Sequence, residues 1–129
     1  MAYSKIHPIK VTLGKAIDYI CKFEKTGNGQ YISSVNCQYQ IAEHEFEFTR
    51  KEMNDNMKNL AYHSYQSFKK GEVTPEQAHE IGMQTMKEFL KGEYEFVLTT
   101  HIDKNHIHNH IIINLSLIHI SEPTRLRCI

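Results

Sequence analysis

The chain has 129 residues, 40% of them hydrophobic, and its 15 basic and 15 acidic side chains cancel formally. That length accommodates one domain around a single core and excludes a multidomain arrangement within this stretch. The balance gives no basic surplus of the kind that drives nonspecific nucleic-acid binding, so affinity for DNA would have to come from a local groove, a metal or residues outside this chain.

In chain order, Lys5 to Val11 predicts a first strand, with Pro8 favouring a sheet edge. Thr12 is the expected cap of a helix from Leu13 to about Phe23, whose Leu13, Ile17, Ile20 and Cys21 form one apolar stripe. After the turn signal at Gly27-Asn28-Gly29, residues 31–35 predict a short strand. Residues 40–56 predict a polar helix, and the aromatic alternation of Leu60 to Phe68 predicts another strand. Thr74 and Gln77 match a capping box, Pro75 sits in the first turn, and Gly92 follows the expected end of that helix. Its expected core stripe is Ala78, Ile81, Thr85, Met86, Phe89 and Leu90. Tyr94 to Thr100 and Ile111 to Ile113 predict the last two strands. Together these elements imply an α+β fold, a mainly antiparallel sheet with helices packed on one face and a metal site on the other.

Cys21, Cys37 and Cys128 are odd in number and lack a Cys-x-x-Cys spacing, which suggests reduced thiols in a cytoplasmic protein and no cysteine site. The sequence shows no signal peptide and no membrane span.

The densest chemistry lies in His101-Ile102-Asp103-Lys104-Asn105-His106-Ile107-His108-Asn109-His110. Alternate residues of a strand share a face, so His106, His108 and His110 are expected to point together, and His101 can join them from the preceding strand. Neutral imidazole donates a lone pair without a large pKa shift, and three such ligands leave coordination positions open for a substrate oxygen. The competing reading is a solvated strand face whose histidines bond only to water or neighbours. Tyr19 lies about 200° around its helix from Ile17 and is therefore free to face a site. A phenol has a reference pKa of about 10 and needs a nearby base or cation to act as a nucleophile. On position alone, a half-exposed tyrosine on an amphipathic helix is ordinary.

Three motifs in order carry a family resemblance. The segment Ala16-Ile17-Asp18-Tyr19-Ile20, the segment His63-Ser64-Tyr65-Gln66-Ser67-Phe68 with Gly71-Glu72, and His101-x-Asp103 followed by His108-x-His110 and Asn114 resemble the motifs of relaxases of plasmid and conjugative-transposon mobilisation. These belong to the His-hydrophobe-His superfamily of single-strand endonucleases, and the likeness runs from Lys5 to Asn114. It implies Tyr19 as nucleophile, Gln66 and Ser67 at the DNA, and His101, His108 and His110 as metal ligands. His106 and Asn114 are left as neighbours of the ligands, and Asp103 would orient a ligand ring or take the tyrosyl proton. It further implies a divalent ion, manganese or magnesium ahead of zinc or nickel. The implied substrate is single-stranded DNA at an origin of transfer, and accessory mobilisation proteins are implied as partners.

Residues 1–114 thus resemble the N-terminal part of a relaxase domain, whereas residues 115–129 resemble translated sequencing-adapter read-through, a non-native tail. Two other classes share these features. One is a replication initiator or transposase of the same superfamily, and the other is a metal- or DNA-binding module in which Tyr19 is inert.

Overall fold

Alternation along the strands decides what each face of the sheet carries. The computed structural model describes residues 3–52, 60–103, 106–114 and 116. Within them the chain forms β1 (Tyr3–Ile9), α1 (Leu13–Ile20), β2 (Ile32–Val35), a short 3-10 turn (Tyr39–Ile41), α2 (Ala42–Glu52), β3 (Ala61–Ser67), α3 (Pro75–Leu90), β4 (Glu95–His101) and β5 (His108–Asn114). The strands lie in the order β1-β3-β5-β4-β2, every neighbouring pair antiparallel, with β1 at the edge where Pro8 does not interrupt a central ladder.

One face presents Val97 and Ile112, buried beneath Leu13, Ile17 and Ile20 of α1 and Ala42 and Phe46 of α2. The other presents Phe96, Leu98, Ile111 and Ile113, buried beneath Met86 and Leu90 of α3. The antiparallel α+β class is as expected, but the helices are divided between the two faces instead of sharing one. The reason is legible in the composition of β4 and β5. Phe96-Val97-Leu98 and Ile111-Ile112-Ile113 are unbroken apolar runs, and a strand wet on one face would alternate. α1 and α2 therefore share their face with the histidines.

Several boundaries differ from expectation. Thr12 adopts a left-handed conformation at φ 58° and makes no side-chain cap. Its hydroxyl donates to the Val11 carbonyl instead. α1 stops at Ile20, short of Phe23, with the Cys21 amide donating to the Ile17 carbonyl and the Lys22 amide to that of Tyr19. The helix expected over 40–56 spans Ala42–Glu52, and its expected last turn falls outside the described residues. So does the tail, apart from Ser116, whose amide bonds the Asn114 side chain.

α3 matches its signals most closely. The Thr74 hydroxyl accepts from the Gln77 amide at 3.1 Å and the Gln77 side chain accepts from the Thr74 amide at 3.0 Å, closing the capping box. Its buried stripe, however, is Ala78, Gly82, Met86 and Leu90, a strict four-residue spacing. Ile81, Thr85 and Phe89 face outward, Phe89 at 72% exposure. Gly82 explains the rotation, because a Cβ there would stand 2.7 Å from Asn109 Nδ2 and 2.9 Å from Leu98 Cδ1. Asn109 cannot easily yield, since its fully buried amide donates to Gln66 and to the Ala78 carbonyl and accepts from Thr100. Gly82→Ala should therefore destabilise by about 1–3 kcal/mol through overpacking. That loss outweighs the roughly 1 kcal/mol that alanine gains in helix propensity. Urea unfolding checks this, and a variant as stable as the parent would mean that the Asn109 amide gives way.

Candidate functional site

The register of β4 on β5 sets His101 opposite His108 and Thr99 opposite His110, so the three imidazoles share the face covered by α1. β3 adds Tyr65 opposite His110 and Ser67 opposite His108, and His63 lies two residues before Tyr65 on the same face. β1 places His7 opposite His63. The row of rings crosses four strands: His7 to His63 5.2 Å between centroids, His63 to His110 5.1 Å, and His110 to His101 4.3 Å.

Tyr19 is in the last turn of α1, and its ring meets His101 and His110 edge-on at 5.9 and 6.4 Å. The Lys25 and Lys22 ammonium groups lie 5.4 and 5.8 Å from the same ring. Tyr19, Lys25, His101, Asp103, His108 and His110 line a cavity of about 220 Å³. Tyr19 is 46% exposed and so remains open to a substrate there.

Burial sets the protonation of the rings. It lowers the His110 pKa to about 3 and that of His63 to about 4, aided in each case by neighbouring imidazoles, and it also lowers His101. All three rings are neutral at pH 7. His101 Nε2 lies 2.9 Å from the Ile20 carbonyl. A carbonyl only accepts, so that nitrogen carries the proton and Nδ1 keeps the lone pair. Partial desolvation would raise the Asp103 carboxyl, but its 2.9 Å contact with Lys25 outweighs this and holds it below its ordinary range.

These donors suit a divalent ion. A metal–nitrogen bond of about 2.1 Å puts each ring centre about 3.2 Å from the ion, so tetrahedrally arranged imidazoles sit about 5 Å apart. The His101–His110 and His108–His110 separations of 4.3 and 6.3 Å straddle that value. Among the described residues, no three His, Cys, Asp or Glu side chains already converge on one point, so the rings must turn slightly to share an ion.

Not every expected site residue is here. Gln66 points to the opposite face, 7% exposed and bonded to Asn109, because it alternates with Tyr65 and Ser67; it cannot touch DNA on the histidine side. Asn114 is fully buried at the far end of β5, donating to the Phe46 carbonyl and to Glu95, which makes it an anchor for α2 and not a neighbour of His101, His108 and His110. His106 precedes β5 and is exposed, so only His108 and His110 share the strand face. Asp103 contacts Lys25, while the acceptor on the His101 ring is the Ile20 carbonyl. Lys25 and His63 were not expected at the site. His63 was legible from its two-residue spacing to Tyr65, but Lys25 sits in an irregular segment with no periodic signal.

The family model "Relaxase: MobA/VirD2-like, nuclease domain" matches residues 19–119, a span opening on Tyr19 and enclosing all three histidines. The chain belongs to the MobA/VirD2-like relaxase nuclease family. It is 53% identical over 68 residues to the "Group II intron-interrupted relaxase LtrB" of Lactococcus lactis subsp. cremoris, covering 52% of this chain and 12% of that protein. It is 35% identical over 114 residues to "Protein rlx" of Staphylococcus aureus, covering 88% of this chain and 32% of that one. The relaxase domain thus spans about a third or less of the curated relatives it matches. No helix among its described residues is long and apolar enough to cross a membrane.

Proposed function

We propose that this domain nicks single-stranded DNA at an origin of transfer and holds the cut strand as a 5′-phosphotyrosine on Tyr19, initiating conjugative mobilisation. The observation that carries the reading is the Tyr19 ring set edge-on to His101 and His110 in one cavity with Lys25.

His101, His108 and His110 would hold a divalent ion, manganese or magnesium ahead of zinc or nickel, which when bound neutralises charge at the scissile phosphate. The phenolic oxygen of Tyr19 forms the new bond to phosphorus as the 3′ oxygen leaves. The Tyr19 proton goes to the Asp103 carboxylate and from there to the departing 3′ oxygen, leaving a free 3′ hydroxyl. One P–O bond replaces another, so the step is reversible and the strand can be rejoined after transfer. Lys25, beside both the ring and Asp103, places positive charge where the attacking oxygen and the phosphate are negative. Ser67 lies on the histidine face at the end of β3, opposite His108, and would meet the DNA there. Residues 1–114 act in this reading as the N-terminal part of the relaxase domain, with accessory mobilisation proteins and further segments completing DNA recognition.

The test is covalent trapping: the chain is incubated with labelled single-stranded DNA carrying an origin of transfer and with manganese, then run on a denaturing gel. A DNA-linked band is expected, and its absence with magnesium, zinc and nickel as well would overturn the reading. The ligand register is checked separately by manganese titration. His108→Ala and His110→Ala should each weaken binding by about 10–100-fold or more, and His106→Ala should not change it.

A further inference from the structure

His63 has no part in the chemistry above, yet its Nε2 lies within hydrogen-bond distance of His110 Nδ1, at 2.9 Å. We propose that His63 is a positioning residue, accepting the proton of His110 Nδ1 so that the lone pair of His110 lies on Nε2, free for a cation. The inference rests on His110 being a ligand, as in the proposed function.

Two neutral imidazoles share one proton along the line between them. If His63 Nε2–H donates, His110 must carry its own proton on Nε2, and neither of its nitrogens is left to donate a lone pair. If His110 Nδ1–H donates, Nε2 is bare. Ligand function therefore requires His63 to be the acceptor, with its own proton on Nδ1. His101 achieves the same end differently. Its acceptor is the Ile20 carbonyl, which can only accept and so fixes the tautomer without help. His110 Nδ1 instead meets an imidazole nitrogen, a partner that could act either way.

The remaining contacts hold the ring on that axis. Tyr65 stacks on His110 at 5.8 Å and 19° between planes, and Tyr19 meets it edge-on at 87°. Neither aromatic contact selects which nitrogen carries the proton, and the His63 bond is the contact that can. Metal-bound imidazoles regularly donate their other N–H to an acceptor, and losing such a partner costs about 10–100-fold in metal affinity.

Long-range proton–nitrogen NMR on histidine-labelled, metal-free protein at pH 7 reads the tautomer directly. The expected result is His110 protonated on Nδ1, and protonation on Nε2 would overturn the proposal whatever any variant does. Cobalt titration then compares two substitutions. His63→Gln keeps an accepting oxygen and should stay within about threefold of the parent, whereas His63→Phe keeps ring bulk without an acceptor and should lose about 10–100-fold. Parental affinity in His63→Phe, or equal losses in both variants, would reduce His63 to a packing role. If His108→Ala and His110→Ala also bind cobalt like the parent, the ion is held elsewhere and the proposed function is what fails. If they lose binding and His63→Phe does not, the positioning role alone fails.

Discussion

Tyr19→Phe should abolish the covalent DNA adduct and reduce strand nicking by roughly 10⁴-fold or more, the scale seen when an enzyme loses its nucleophile. The substitution removes one oxygen from a side chain 46% exposed, so stability should be unchanged and the loss chemical. A second phenol makes the experiment informative. Tyr65 is also on the histidine face, stacked on His110. Two features favour Tyr19: it lines the cavity with Lys25 and Asp103, and two ammonium groups flank its ring. Positive charge there stabilises the oxygen that must become negative to attack. Parallel trapping with Tyr19→Phe and Tyr65→Phe, scored as adduct on a denaturing gel, checks the assignment. An adduct that survives in the first and vanishes in the second would move the nucleophile to β3.

What could be read in advance follows the range over which each residue's role is decided. The capping box at Thr74 and Gln77 is a local device, complete within four residues, and it is present as expected. The shared face of His108 and His110 is also a local matter, since two-residue alternation puts them on one side wherever the strand lies. Helix placement is a property of the whole sheet. Its signal is the unbroken apolar runs of β4 and β5, which imply cover on both faces of the central strands, whereas the histidine segment taken alone implies one open face. Gln66 belongs to the same motif as Ser67, but alternation turns it to the opposite face, where it accepts from Asn109. Asn114 looked like part of the metal motif because of its spacing, yet its burial is set by the Phe46 carbonyl, which comes from a helix 68 residues away in sequence. The Thr12 cap failed because the hydroxyl found a nearer acceptor in Val11.

Acid should unfold this domain sooner than its carboxylates alone would require. Burial holds His110 near a pKa of about 3 and His63 near about 4, against about 6.5 for an exposed ring. Folded-state values that are depressed give stability that is complete above the unfolded value and lost as pH falls toward the folded one. The unfolded chain takes up protons below pH 6.5 that the folded chain refuses, and each such ring costs about 1.4 kcal/mol per pH unit. Because the two rings share one hydrogen bond, they do not act independently. Even one such ring, protonated in the unfolded chain between pH 6.5 and 4.5, removes about 2 kcal/mol, a sizeable share of the roughly 5–15 kcal/mol typical of a domain. Urea unfolding at pH 7, 6, 5 and 4.5 should trace that slope, and the double variant His63→Gln with His110→Gln should make it shallower, leaving the contributions of His101, His79 and the carboxylates. Saturating manganese should steepen it further, since the ion binds only neutral rings. A parent profile level from pH 6.5 to 4.5 would mean that these imidazoles accept protons in place. They would then be a hydrated surface instead of the neutral donor set that ion binding at this face requires.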